Sequence, residues 1–98
     1  MSRKIVHVIG TGTIGEPLIG LLCDFRESLG IDEITFHKNT PLTTDRSKVR
    51  SMMSRGAILT TDKGKFDAFK EIGLKAEFDT KSAIDRAAVV VDCTPKGI

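Results

Sequence analysis

The chain has 98 residues, 40% apolar and 29% charged, which suits one modest globular domain and no more. Fifteen Lys and Arg against thirteen Asp and Glu leave a net charge of +2, too small to point to a nucleic acid or a membrane surface as partner. No apolar run approaches a membrane span. The start, MSRKIVHVIG, has only a short apolar run broken by His7, too little for the core of an export signal.

Residues 3–9 are rich in β-branched side chains and end at a glycine, which reads as a strand. Ile14, Leu18, Leu21, Leu22, Phe25 and Leu29 then recur in steps of three and four. They predict one inward face of a helix, stopped by Gly30. Pro17 is tolerated because it falls in the first turn, where its missing N–H would have had no partner. Residues 32–38, DEITFHK, predict a second strand, and NTPLTTD a polar loop. Thr44 or Asp45 can cap a short helix over 46–54 with Val49, Met52 and Met53 inward, ended by Arg55-Gly56.

AILTT predicts a third strand. DKGKFDAFKEIG predicts a helix with Phe66, Phe69 and Ile72 inward and Gly73 as its stop. KAEFD predicts a short strand and TKSAIDRA a short helix. AVVVDC is a continuous apolar run of the kind found in a central parallel strand covered on both faces. Strands alternating with helices imply a parallel sheet with right-handed crossovers. Both AILTT and KAEFD fit the place beside the second strand.

Cys23 and Cys93 match no metal-ligand spacing, and no metal site is expected. Cys23, inside a helical apolar pattern, is expected as a buried free thiol. With no export signal, a reducing cytoplasm is the expected setting. Repeats and low-complexity tracts are absent from the sequence.

The chemistry-bearing stretch is Gly10-Thr11-Gly12-Thr13-Ile14-Gly15. A Gly-x-Gly-x-x-Gly by itself is a weak signal, but this one leaves a predicted strand and opens a predicted helix. Gly10 would permit the tight turn. Gly12 would let a diphosphate approach bare main chain, and Gly15 would let the helix pack close to the sheet. The N–H groups of Thr13 and Ile14 would point at the phosphates, with the helix dipole behind them. The plainer alternative is a glycine-rich turn that binds nothing.

An NAD site places an acid at the end of the second strand to hold the adenosine ribose. Here that place reads Phe36-His37-Lys38-Asn39-Thr40, and Asp32 and Glu33 come at the wrong end. Lys38 offers a positive charge where a 2′-phosphate would sit. Arg46, Lys48, Arg50 and Arg55 follow, with only Asp45 against them. NADP is therefore expected to be preferred, with NAD possible; the alternative for the arginines is a solvated helix face. His37 could bond near the adenine or be a surface residue, and His7 is expected to be structural. At the other end, Thr94, Pro95 and Gly97 of DCTPKG would face the same dinucleotide from the carboxyl end of another strand. Cys93 has no histidine nearby in sequence to act as its base, so no catalytic residue is assigned.

GTGTIGEPL, FHKNTPLTTDR, SRGAILTTDKGKFDAFKEIGLKAEFDT and VVVDCTPKGI together resemble, in order, the amino-terminal part of the archaeal-type (type II) glyceraldehyde-3-phosphate dehydrogenases. The resemblance covers nearly the whole chain. It implies that Thr13, Ile14 and Gly97 contact the cofactor and that Lys38 lies near the adenosine phosphate. Lys96 stands where the family has a glycine, and Glu16-Pro17 where it has a basic pair.

The resemblance further implies an α/β, Rossmann-like parallel sheet with flanking helices, truncated after the fourth major strand. On that reading residues 1–98 form an incomplete NAD(P)-binding domain, the catalytic domain is absent, and the chain alone is inactive. Two alternatives stand beside it. One is a stand-alone dinucleotide-binding regulatory module. The other is the amino-terminal part of a semialdehyde or homoserine-type dehydrogenase. The apolar strand over 88–93 is expected to be an exposed edge through which two copies associate.

Overall fold

A computed structural model describes residues 4–10, 15–38 and 46–92. The order of elements is β1 (Ile5–Ile9), α1 (Gly15–Asp24), α2 (Arg26–Leu29), β2 (Glu33–His37), α3 (Arg46–Ser54), β3 (Ala57–Thr61), a 3-10 turn (Lys63–Lys65), α4 (Phe66–Glu71), β4 (Phe78–Asp79), α5 (Thr80–Arg86) and β5 (Val89–Asp92). Among the described residues the strands form one five-stranded sheet in the order β4-β3-β2-β1-β5, and every pairing is parallel. This is the α/β, Rossmann-like arrangement expected from the alternation of elements. AILTT (β3) takes the place beside β2. Of KAEFD only Phe78 and Asp79 pair, outside β3.

Alternation along the strands divides the molecule into two faces. Val6, Val8, Ile34, Phe36, Ala57 and Leu59 point to one, where they meet Ile19 of α1, Val49 and Met52 of α3, and Phe69 of α4 in a single core. Phe36 and Phe69 are fully buried; burying a side chain of that size contributes about 1.5–3 kcal/mol. His7, Thr35 and Thr60, all fully buried, alternate with these core residues and so lie on the opposite face. α5 lies against β1 and β3, and its buried Ala83 stands outside the main core.

α5 is fixed at both ends. The Asp79 carboxylate caps its start by accepting from the Ser82 N–H at 2.7 Å. That main-chain hydrogen bond, with the Ser82 side chain next, holds the Asp79 carboxyl below its ordinary pKa. At the other end the Arg86 guanidinium donates to Glu33 at 2.8 Å and lies 3.9 Å over the Phe78 ring.

The first helix departs from expectation. It breaks at Phe25 (φ −106°, ψ 17°) into α1 and the four-residue α2, and α2 is closed by Gly30 in the left-handed region. Ile19 is the residue driven fully into the core, with Leu18, Leu22 and Cys23 packed against it, while Leu21, Phe25 and Leu29 stay 54%, 51% and 48% exposed. GEPLIGLLCD is apolar around most of its circumference, so its spacing alone does not choose a face. Gly20 is buried, and a Cβ there would stand 2.5 Å from the Arg55 guanidinium, so this side of α1 faces the end of α3. Pro17 does fall in the first turn of α1.

The apolar run ending in VVVD is likewise not covered on both faces. β5 is one of the two edge strands among the described residues, β4 being the other, and Val89 and Val90 are 46% and 43% exposed. The other inward faces hold: Val49 and Met52 are buried with Met53 packed beside them, and Phe69 is buried with Phe66 and Ile72 alongside. Cys23 is a free thiol that is half-buried rather than fully buried, and burial is the main influence pushing its pKa up.

Candidate functional site

Three strand exits come level on the carboxyl edge of the sheet. Ile9, the last residue of β1, pairs with His37 of β2 on one side and Asp92 of β5 on the other. His37 in turn pairs with Thr60 of β3. The chain runs outward from β1 through β2 and β3 to β4, then returns past β1 to form β5. The exit of β1 is thus the point where strand order reverses, the place where open parallel sheets receive ligands.

Gly10 follows Ile9 with φ +98°, a backbone conformation in which any Cβ is strained. The local need for glycine is therefore met at the first position of the motif. Gly15 is the first residue of α1. Thr11, Gly12, Thr13 and Ile14 between them lie outside the described residues, as do Cys93, Thr94, Pro95, Lys96 and Gly97.

Lys38 is held at the exit of β2 by its main chain. Its N–H donates to the Thr60 carbonyl at 3.0 Å, and its carbonyl accepts from the Thr61 hydroxyl at 2.8 Å. The cations of α3 divide along the helix axis. Arg46 opens α3 and Lys48 lies in its first turn, with the Lys48 ammonium 3.5 Å from Glu16 at the start of α1. Arg55 lies at the opposite end, bonded to Asp24, and the Arg50 guanidinium lies beside Gly73, at the end of α4. Arg50 and Arg55 are thus built into helix ends away from the strand exits. Arg46 and Lys48 stand at the other end of α3, the end that follows β2.

His37 is half-buried, and its Nδ1 is 3.4 Å from the Thr80 hydroxyl at the start of α5. Thr80 donates to Asp62, just past β3, at 2.6 Å. Burial lowers the His37 pKa; Asp62 acts against that and Lys65 adds to it. Sequence reasoning singled out His37 and missed its partners. Positions 37, 62 and 80 belong to three separate elements, and no local pattern links them.

His7 sits one pleat further in on the same face as His37. Its Nδ1 shares a 2.7 Å hydrogen bond with the Thr35 hydroxyl, and its Nε2 has no partner among the described residues. Burial, with a smaller contribution from His37, lowers its pKa to about 4. Among the described residues its ring bonds a hydroxyl and no carboxylate.

A cleft of about 410 Å³ between α4 and the segment leading to β4 is lined by Phe66, Lys70, Leu74 and Ala76 among others. None of its residues belongs to a strand exit, so it lies outside the candidate site despite its volume. No group of three or more potential metal ligands occurs among the described residues, and no helix described is long and apolar enough to cross a membrane. Comparison of the chain with protein-family models, curated proteins and solved structures returned no match.

Proposed function

We propose that the chain binds a nicotinamide dinucleotide across the exits of β1, β2 and β5. In this reading it is the NAD(P)-binding portion of an aldehyde-oxidising dehydrogenase similar to the archaeal-type glyceraldehyde-3-phosphate dehydrogenases. The observation that carries the reading is the positive φ of Gly10 in a glycine-rich connection between β1 and α1, at the reversal of strand order. A turn of that form can leave main-chain N–H groups facing an anion, and the start of α1 adds the positive end of its dipole.

Gly10, Thr11, Gly12, Thr13, Ile14 and Gly15 would hold the diphosphate. Thr94, Pro95 and Gly97 would approach from the side of β5. The dinucleotide supplies hydride chemistry, and the protein supplies binding and orientation. Lys38 at the exit of β2 favours a phosphate on the adenosine ribose and hence NADP. Lys38→Glu is expected to weaken NADP binding at least about tenfold while leaving NAD within about threefold, since only the former loses a charge-assisted contact. Calorimetric titration of both proteins with both cofactors measures this, and equal losses for NADP and NAD would remove the phosphate role of Lys38.

The reading extends to assembly. β5 is an edge strand whose Val89 and Val90 are half exposed, a form that templates pairing with another chain. Antiparallel pairing of two copies through residues 88–93 would keep the two Asp92 carboxylates at opposite ends of the seam. Light scattering is expected to show dimers at high protein concentration and monomers for Val90→Lys; a monomeric parent protein at high concentration would contradict the pairing.

A further inference from the structure

α4 ends in a turn that folds the chain back beside it. The Gly73 N–H donates to the Lys70 carbonyl at 2.9 Å and the Leu74 N–H to the Phe69 carbonyl at 3.0 Å. Gly73 takes φ +81°, the left-handed form that closes helices. The returning segment then alternates: Leu74 and Ala76 are buried, and Lys75 between them is exposed. The Glu77 N–H donates to the Leu59 carbonyl at 2.8 Å and ties the segment to β3. On the helix side Phe66, Lys70 and Gly73 recur at i, i+4 and i+7, so they share one face. The cleft of about 410 Å³ lies between these two walls.

Its lining has two characters. Phe66, Leu74 and Ala76 supply apolar surface, while Lys70 and Lys75 bring one ammonium from each wall. Arg50 of α3 adds a third cation at the Gly73 end, where its Nη2 would stand 2.8 Å from a Cβ on Gly73. Among the described residues none of these three has a carboxylate within ion-pairing distance. Asp67 is the one acid of the lining; Glu71 and Glu77, close by in sequence, are not part of it. Apolar surface bordered by cations without a protein counter-charge fits a ligand that is apolar along its body and anionic at one end.

The volume sets the size of that ligand. It lies near the small end of the roughly 300–1,000 Å³ range of small-molecule pockets, which suits one ring or a medium-length chain and is too small for a dinucleotide. We propose that the cleft binds a small monocarboxylate with an apolar body. The body lies against Phe66, Leu74 and Ala76, and the carboxylate sits between Lys70 and Lys75 with Arg50 at the Gly73 end. Hydrogen bonds from such cations to a carboxylate are of the strong, charge-assisted kind, and the apolar wall adds affinity that a bare anion cannot gain. The cleft is separate from the strand exits, so the proposal does not depend on the dinucleotide reading.

The test is titration of the full chain with sodium octanoate, followed through its backbone amide shifts by NMR. Saturating shifts are expected at Phe66, Lys70 and residues 73–76. Octan-1-ol has the same body without the charge, and acetate the charge without the body; each is expected to bind at least about tenfold more weakly. Lys70→Gln combined with Lys75→Gln changes two exposed side chains and is expected to leave the fold intact. It should weaken octanoate about tenfold and leave the octan-1-ol titration unchanged, a split that mere damage to the cleft would not give. Shifts that do not saturate or that centre elsewhere overturn the proposal, as does octan-1-ol binding as tightly as octanoate. So does an unchanged octanoate affinity in the double variant. Shifts at the same amides on raising the protein concentration alone would make a second copy the occupant and overturn it too.

Discussion

Gly10→Val is expected to lower the melting temperature by roughly 8–16 °C and to abolish dinucleotide binding. The residue has φ +98°, where a β-branched side chain collides with its own backbone. Holding valine there costs about 2 kcal/mol, and for a domain of this size each kcal/mol is worth roughly 4–8 °C. The variant can escape the strain only by rotating the peptide at the end of β1. That rotation would re-aim the connection to α1, so stability and binding should fall together. Thermal melting followed by circular dichroism, with a cofactor titration below the new melting temperature, checks both. A variant that melts within a degree or two of the parent would show that the turn does not need its glycine.

The second large effect is acid sensitivity seated in His7. The folded protein holds this ring at a pKa of about 4 against an ordinary 6.5. The unfolded chain therefore binds the proton first as pH falls. The stability that the neutral buried ring retains is complete above 6.5 and is lost progressively down to about 4. The difference amounts to about 3 kcal/mol, on the scale of a small domain's whole stability. His7→Gln keeps a polar partner for the Thr35 hydroxyl, which the histidine bonds at 2.7 Å, and cannot take up a proton. Denaturant unfolding at several pH values should show the parent weakening across that window and the variant weakening less, the remainder coming from His37, whose pKa burial also lowers. The Asp79 cap acts below 3.8, because its carboxyl pKa is held under that value, so it does not confuse the comparison. Parallel curves for the two proteins would mean that His7 is hydrated or protonated in the folded state.

The elements themselves were legible in the sequence because their periods are clean. Val49 and Met52, and Phe66 and Phe69, fall three residues apart and meet the core as spaced. Val6 and Val8, and Ile34 and Phe36, alternate onto one face. Legibility failed where a period was ambiguous or a contact was remote. α1 carries apolar residues nearly all round, and its approach to Arg55, thirty-five positions after Gly20, is not written in its own spacing. The apolar run of β5 satisfies a buried strand's composition, yet composition does not say whether a neighbour lies beyond it. Of the candidate site, the glycine requirement at Gly10 and the placement of Lys38 at a strand exit could be read directly. The separation of Arg50 and Arg55 from that exit follows from the axis of α3, which a linear run of cations does not reveal. Asp62 and Thr80 join His37 only through the sheet order and the return of α5.

Titration calorimetry of the chain with NADP and with NAD tests the central claim most directly. A diphosphate received at the turn after β1 predicts saturable heat with NADP and weaker binding of NAD. No measurable heat from either, in protein whose circular dichroism shows it folded, would contradict the claim and leave the glycine-rich turn as a purely structural feature.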